Sequence, residues 1–128
     1  MAVAHRGQGT QRFKHRKPFA ARKGESTLIR SKYPQKVPVI VERYPGEVYL
    51  SSLERTKYLV PQDVIMGHFN AIIRNRLALT SSQTIYLVVK NRSLTNMSAT
   101  IGEVDQEFKD SDGFLYISYA SQEMFGAS

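Results

Sequence analysis

The sequence predicts an α+β roll, a small sheet wrapped around a crossing helix, with helical chain placed in front. Three stretches carry this. VPVIV, residues 37–41, is an apolar, β-branched run followed by the turn YPGE and more extended chain. VIMGHFNAIIRNRL, residues 64–77, spaces its apolar residues by three and four. FLYISYA, residues 114–120, alternates Phe114, Tyr116 and Ser118 against Leu115, Ile117 and Tyr119. Spacing near 3.6 marks a helix with one buried face, and spacing of two marks a strand.

The elements follow in order. Residues 1–12 have no periodicity and read as a flexible extension. PFAARKGESTLIRSKY sets Phe19, Ala21, Leu28, Ile29 and Tyr33 among cations, an amphipathic helix that Pro34 ends. VPVIV lacks alternation, so it reads as a strand buried on both faces. Its Pro38 must lie at the strand start or where no donor is needed. After YPGE, Val48–Leu53 is expected to form the returning strand, and ERTKYLV a second extended piece ended by Pro61.

The helix over residues 64–77 uses Ile65, Phe69, Ile72, Ile73 and Leu77. TIYLVVK is a strand. SATIGEVDQEF opens a short helix, because Thr100 and Glu103 have capping-box spacing. SDG turns the chain into the last strand. A hairpin, a crossing helix and later strands on one sheet amount to a ubiquitin-like β-grasp with additional N-terminal helices.

Composition excludes several functions. There is no cysteine, hence no disulfide, thiolate nucleophile or cysteine-bound metal. The longest fully apolar run, Ile85–Val89, is far too short to span a bilayer. The N-terminus has no signal-peptide core, so a cytoplasmic location is expected. His5, His15 and His68 have no metal-ligand spacing, and no serine sits in a nucleophile elbow. The acids Glu103, Asp105, Glu107, Asp110 and Asp112 read as a solvated helix face. No catalytic set assembles, so a non-enzyme without cofactor is expected.

Charge is uneven. Residues 1–36 hold ten Lys/Arg and one acid, a net of +9, while residues 37–128 hold eight and ten, a net of −2, giving +7 for the chain. The density of cations at the front predicts an acidic partner.

KYPQKVPVIVER, TKYLVP, IIRNRL and DGFLYISYASQEMFG resemble the autophagy-related ubiquitin-like modifiers, the autophagy-related protein 8 family. The resemblance runs from about residue 18 to Gly126. ERYPGE and YASQE point to the microtubule-associated light chain 3 branch. It implies four segments: the extension 1–12, a basic helical segment 13–35, a ubiquitin-like core 36–126, and residues 127–128 lost on processing.

In that family a cysteine protease cuts after the glycine following an aromatic. Activating and conjugating enzymes then join the new carboxylate to phosphatidylethanolamine. Gly126 takes that position, with Met124 standing where a small polar residue is usual. Lipidation would carry the chain to the autophagosome membrane, since one short acyl chain anchors only marginally and two anchor stably.

The resemblance also implies capture of peptides from cargo receptors and adaptors carrying an aromatic-x-x-aliphatic motif. TKYLV is expected to be the free edge for such a strand. The aromatic pocket maps onto Glu25, Ile29, Pro38, Lys57, Leu59 and Phe114. The aliphatic pocket maps onto Tyr58, Val60, Pro61, Val64, Phe69 and Ile72. Lys36, Arg55 and Arg76 map onto contacts with flanking acids. On residue chemistry alone, Ile29, Phe69, Ile72 and Phe114 read as plain core.

The alternative is a basic module for microtubules or RNA without conjugation. It rests on the +9 segment, which has family precedent for such contacts. The family's arginine triplet at the end of the long helix is Arg74-Asn75-Arg76 here.

Overall fold

The computed structural model describes residues 12–126. In chain order the elements are α1 (Phe13–Arg16), α2 (Phe19–Lys32), β1 (Lys36–Arg43), β2 (Lys57–Pro61), α3 (Met66–Arg76), β3 (Ile85–Val89), β4 (Arg92–Ser93), α4 (Ile101–Phe108), β5 (Leu115–Ser121) and a π-helical turn (Gln122–Gly126). The strands form one sheet in the order β2-β1-β5-β3-β4. β1 and β5 are parallel and central, and the other pairings are antiparallel.

Both faces of the sheet are covered, which is why VPVIV does not alternate. On one face Val37, Val39, Val41, Leu115, Ile117 and Tyr119 pack with Met66, Phe69 and Ile73 of α3 and Ile101 and Val104 of α4. On the other, Ile40 and Phe114 pack with Phe13 of α1, and Ile29 of α2 closes in beside them. Thr100 and Glu103 form the expected capping box. On α3, Met66 rather than Ile65 faces the core, and Ile65 is exposed.

Pro38 sits where its missing donor costs nothing. Val41 donates to Thr56 O at 2.8 Å and Gln62 to Gln35 O at 2.9 Å. By parity, odd-numbered β1 residues face β2 and Pro38 faces the β5 side. There the pairing begins only one residue later, at Val39↔Leu115.

Three expectations are corrected. Val48–Leu53 is not a strand, and the partner of β1 is Lys57–Pro61. The backbone of the 47–53 loop is satisfied by side chains instead. The buried Glu47 carboxylate accepts from Tyr49 N at 2.8 Å and Leu50 N at 3.0 Å. The Tyr119 hydroxyl donates to Ser51 O at 2.7 Å and accepts from Leu53 N at 3.1 Å.

Second, of the apolar residues expected to dock α2 only Ile29 packs inward, half-buried against Ile40 and Phe114. Phe19 and Leu28 are exposed, and its buried residues are Arg22 and Ser26. Arg22 donates to Asp112 Oδ2, Ser26 Oγ to Asp112 O, and Arg30 reaches both oxygens of Asp105 at 2.8 and 3.0 Å. Third, Asp105 and Asp112 therefore belong to a buried joint and not to a solvated face. Gly113, at φ 93°, lets the chain pass α2; a Cβ there would stand 2.2 Å from Ser26 Oγ.

The sequence reading also missed the β3–β4 hairpin. Its two turn residues, Lys90 and Asn91, both take left-handed φ, as a tight hairpin turn requires.

Candidate functional site

β2 is an edge strand, and its outer side is unpaired among the described residues. The register gives Thr56, Tyr58, Val60 and Gln62 to β1, so Lys57 and Leu59 turn their N–H and C=O groups outward. Pro61 follows in phase and has no donor, which ends the free ladder. The edge therefore offers hydrogen bonds from two residues to an incoming strand.

A cleft of about 190 Å³ opens beside this edge. Ile29, Pro38, Lys57, Leu59 and Phe114, five of the six residues mapped to the aromatic pocket, line it with Val39, Arg55 and Tyr58. Pro38 and Leu59 are cross-strand partners, so they share the face on which α2 lies. Ile29 comes from α2, and the nearly fully buried Phe114 forms the floor. Behind it stands Phe13, 5.1 Å away edge to face.

Glu25 does not line the cleft. It acts at the rim by holding Lys57, its Oε2 accepting from Lys57 Nζ at 2.5 Å and its Oε1 from Lys17 Nζ at 2.9 Å. Lys57 also lies 5.2 Å from the Phe13 ring centre. Partial burial pushes the Glu25 carboxyl up, but the two ammonium hydrogen bonds outweigh it and hold it below the usual carboxylate range. Phe13 and Lys17 thus belong to the site although sequence reading passed over them. The one available signal was that Phe13 is the first aromatic within a basic run.

The aliphatic set, Pro61 apart, lies on the opposite face of β2. Val60 and Phe69 are buried core; Tyr58, Val64 and Ile72 are half-buried, and Pro61 is exposed. Tyr58 packs edge-on against Phe69 with ring centres 6.1 Å apart, and the Arg76 guanidinium lies 5.8 Å over its outer side. Together these make an apolar ledge rather than an isolated pocket residue set. The Tyr58 hydroxyl is buried without a hydrogen-bond partner among the described residues, and this desolvation raises its pKa.

The flanking cations take separate stations. Lys36 pairs across from Pro61 at one end of β2, Arg55 precedes the other end, and Arg76 covers Tyr58. All three are exposed, and none has a carboxylate within 4 Å among the described residues. By contrast, Arg12, Lys14, Lys17, Arg22 and Arg30 pair with Glu42, Asp110, Glu25, Asp112 and Asp105. Much of the N-terminal positive charge is thus answered within the fold.

At the far end of β5 the chain turns back. Ser121 donates from N and Oγ to Glu47 Oε1 at 2.7 and 2.9 Å. Phe125 packs edge to face on Tyr44, centres 5.1 Å apart. Met124 lies against Gly46, which has φ 89°. Gly126 closes this turn. Residues 1–11, and residues 127–128 expected to be lost on processing, lie outside the described residues.

Among the described residues no helix is long and apolar enough to cross a membrane, and no group of histidines and acids could hold a metal.

Comparison with known proteins agrees with this architecture. Residues 21–126 match the family described as autophagy protein Atg8 ubiquitin like. The chain is 52% identical over 114 residues to human microtubule-associated protein 1 light chain 3 gamma, covering 89% of this chain and 78% of that protein. It is 40% identical to protein lgg-2 of Caenorhabditis elegans, covering 89% and 88%. It is 41% identical to autophagy-related protein 8b of Arabidopsis thaliana, covering 91% and 93%. With a five-stranded sheet that has parallel central strands and a crossing helix, the chain belongs to the Atg8 family, on its light chain 3 branch, as an autophagy ubiquitin-like modifier and not an enzyme.

Proposed function

We propose that a cysteine protease trims this chain after Gly126, removing residues 127–128. Ubiquitin-like activating and conjugating enzymes then join the Gly126 carboxyl to the amine of phosphatidylethanolamine, forming an amide. The chain so moves from cytoplasm to autophagosome membrane, and there displays the β2 edge to cargo receptors and adaptors. An aromatic side chain of the partner enters the cleft over Phe114, an aliphatic one rests on the Tyr58–Ile72 ledge, and flanking acids meet Lys36, Arg55 and Arg76.

The observation that carries this reading is the pairing of a free edge with a cleft. Lys57 and Leu59 offer unpaired backbone groups beside a space of about 190 Å³ lined by their own side chains. An added strand gains its hydrogen bonds from the edge and its specificity from the pockets.

Replacement of Gly126 by Ala tests the lipid half. The expected result is loss of the faster-migrating, membrane-bound form in cells, with peptide binding retained in vitro. A variant that is still trimmed and still on membranes refutes it. The reading of a basic microtubule- or RNA-binding module has less support, because five of the front cations are paired internally. The contact named for the human light chain 3 relative would fall to exposed cations such as Arg16 and Lys23.

A further inference from the structure

We propose that Val48 and Tyr49 form a bilayer-contacting tip beside the C-terminal anchor, so that the lipid-bound chain holds this loop in the membrane interface. The inference rests on lipid attachment at Gly126. Val48 and Tyr49 are consecutive and are 73% and 61% exposed, in a protein whose other apolar side chains are mostly covered. No core position explains them, since the loop packs on the core through Leu50 and Leu53 instead.

Their place is set by Glu47. One oxygen of its buried carboxylate accepts from Tyr49 N at 2.8 Å, and the other accepts from Ser121 N at 2.7 Å. A single side chain thus ties the loop to the end of β5, where the tail leaves the sheet. The tail then folds onto the same turn through Phe125 on Tyr44 and Met124 on Gly46. Gly126 is the next residue, so a lipid joined there brings the bilayer to this side of the molecule.

The chemistry suits a lipid surface. From Tyr44 to Leu53 the only charged residue is Glu47, and it is turned inward. Tyr44, Pro45, Gly46, Val48, Tyr49, Ser51 and Ser52 bring no ionised group to be desolvated. The exposed Glu123 is the one acid on the tail turn. Tyrosine has an apolar body and a polar tip and favours the headgroup level, while valine favours the acyl boundary. Two such side chains could not hold the protein on a membrane alone, but beside a covalent anchor they fix its orientation.

The chain has neither cysteine nor tryptophan, which makes a clean test possible. The full chain carrying Gly126→Cys and Tyr49→Trp is coupled to maleimide-phosphatidylethanolamine in phosphatidylcholine vesicles. Trp emission is read with and without brominated acyl chains. A parallel chain carries Leu28→Trp on exposed α2 as the control. The expected result is a blue shift and bromine quenching at position 49 only on coupling, no change at position 28, and reversal at position 49 by Val48→Asp.

Emission at position 49 that keeps its aqueous wavelength on coupled vesicles overturns the proposal. Equal quenching at both positions overturns it too, because the protein then lies down without preference. If position 49 stays in water while Tyr49→Asp slows tail trimming, the tip belongs to a tail-handling protein instead. The coupling is chemical, so these outcomes stand whether or not cells attach lipid at Gly126.

Discussion

Arg22 and Asp112, ninety positions apart in sequence, meet at 2.5 Å in the joint between α2 and the loop before β5. Asp112 also accepts from Tyr116 Oη and Phe114 N, and its own carbonyl takes the Ser26 hydroxyl. The joint attaches the N-terminal helices to the sheet and positions Phe114, the cleft floor.

Asp112→Ala leaves the buried Arg22 and the half-buried Tyr116 without their shared acceptor. Breaking one side of such a pair lowers stability, because the remaining partner is left uncompensated. Urea unfolding at neutral pH should show that loss, and α2 amides should exchange faster than those of α3. A variant as stable as the parent contradicts the joint's role.

Glu47 predicts an acid-dependent stability. Burial pushes its carboxyl up, but the hydrogen bonds from Ser121, Tyr49 and Leu50 overcome this and hold it below the ordinary value. A depressed folded pKa contributes stability above the unfolded value of about 4.3, and that contribution disappears as pH falls through the folded value. The stability gap between the parent chain and Glu47→Gln should be widest near pH 7 and shrink below pH ~4. Denaturant midpoints measured across that range decide it; a constant gap counts against the buried carboxylate.

Tyr58→Phe should leave the fold intact and raise stability by about 1 kcal/mol, because it removes a buried hydroxyl with no partner. Thermal unfolding reads this directly. A lower melting point would mean that the hydroxyl is satisfied in solution.

Leu59→Ala should weaken an aromatic-x-x-aliphatic peptide roughly tenfold, about 1.4 kcal/mol, without changing stability, because Leu59 lies at the exposed edge. The loss should persist in high salt, whereas Arg55→Ala should matter only at low salt with acid-flanked peptides. Calorimetric titration at two ionic strengths separates the two contributions. A Leu59→Ala chain that binds as the parent does removes the cleft from the account.

Much of the fold was legible because its signals are local. VPVIV, the 64–77 spacing, the Thr100–Glu103 cap and the alternation of FLYISYA each specify an element within a few residues. The failures arose where the deciding partner is distant. Val48–Leu53 has the apolar content of a strand, but Glu47 and the far-off Tyr119 hydroxyl claim its backbone groups.

Similarly, the apolar face expected of α2 comprises Phe19, Ala21, Leu28, Ile29 and Tyr33, of which only Ile29 packs inward. Elsewhere it meets a surface offering Asp105 and Asp112, so Arg22 and Ser26 are buried and Arg30 is half-buried. The site was legible through resemblance more than through residue chemistry. Phe69 and Phe114 are both core by burial, and only the cleft beside β2 shows that Phe114 also floors an open space.

The proline at position 61 has one more effect. Exposed sheet borders invite identical molecules to stack on one another, and long uninterrupted borders are where fibres begin. This border is closed after two rungs, wide enough to clasp a short guest and too narrow to template a neighbour. The margin can therefore stay adhesive toward a short strand without leading to polymerisation.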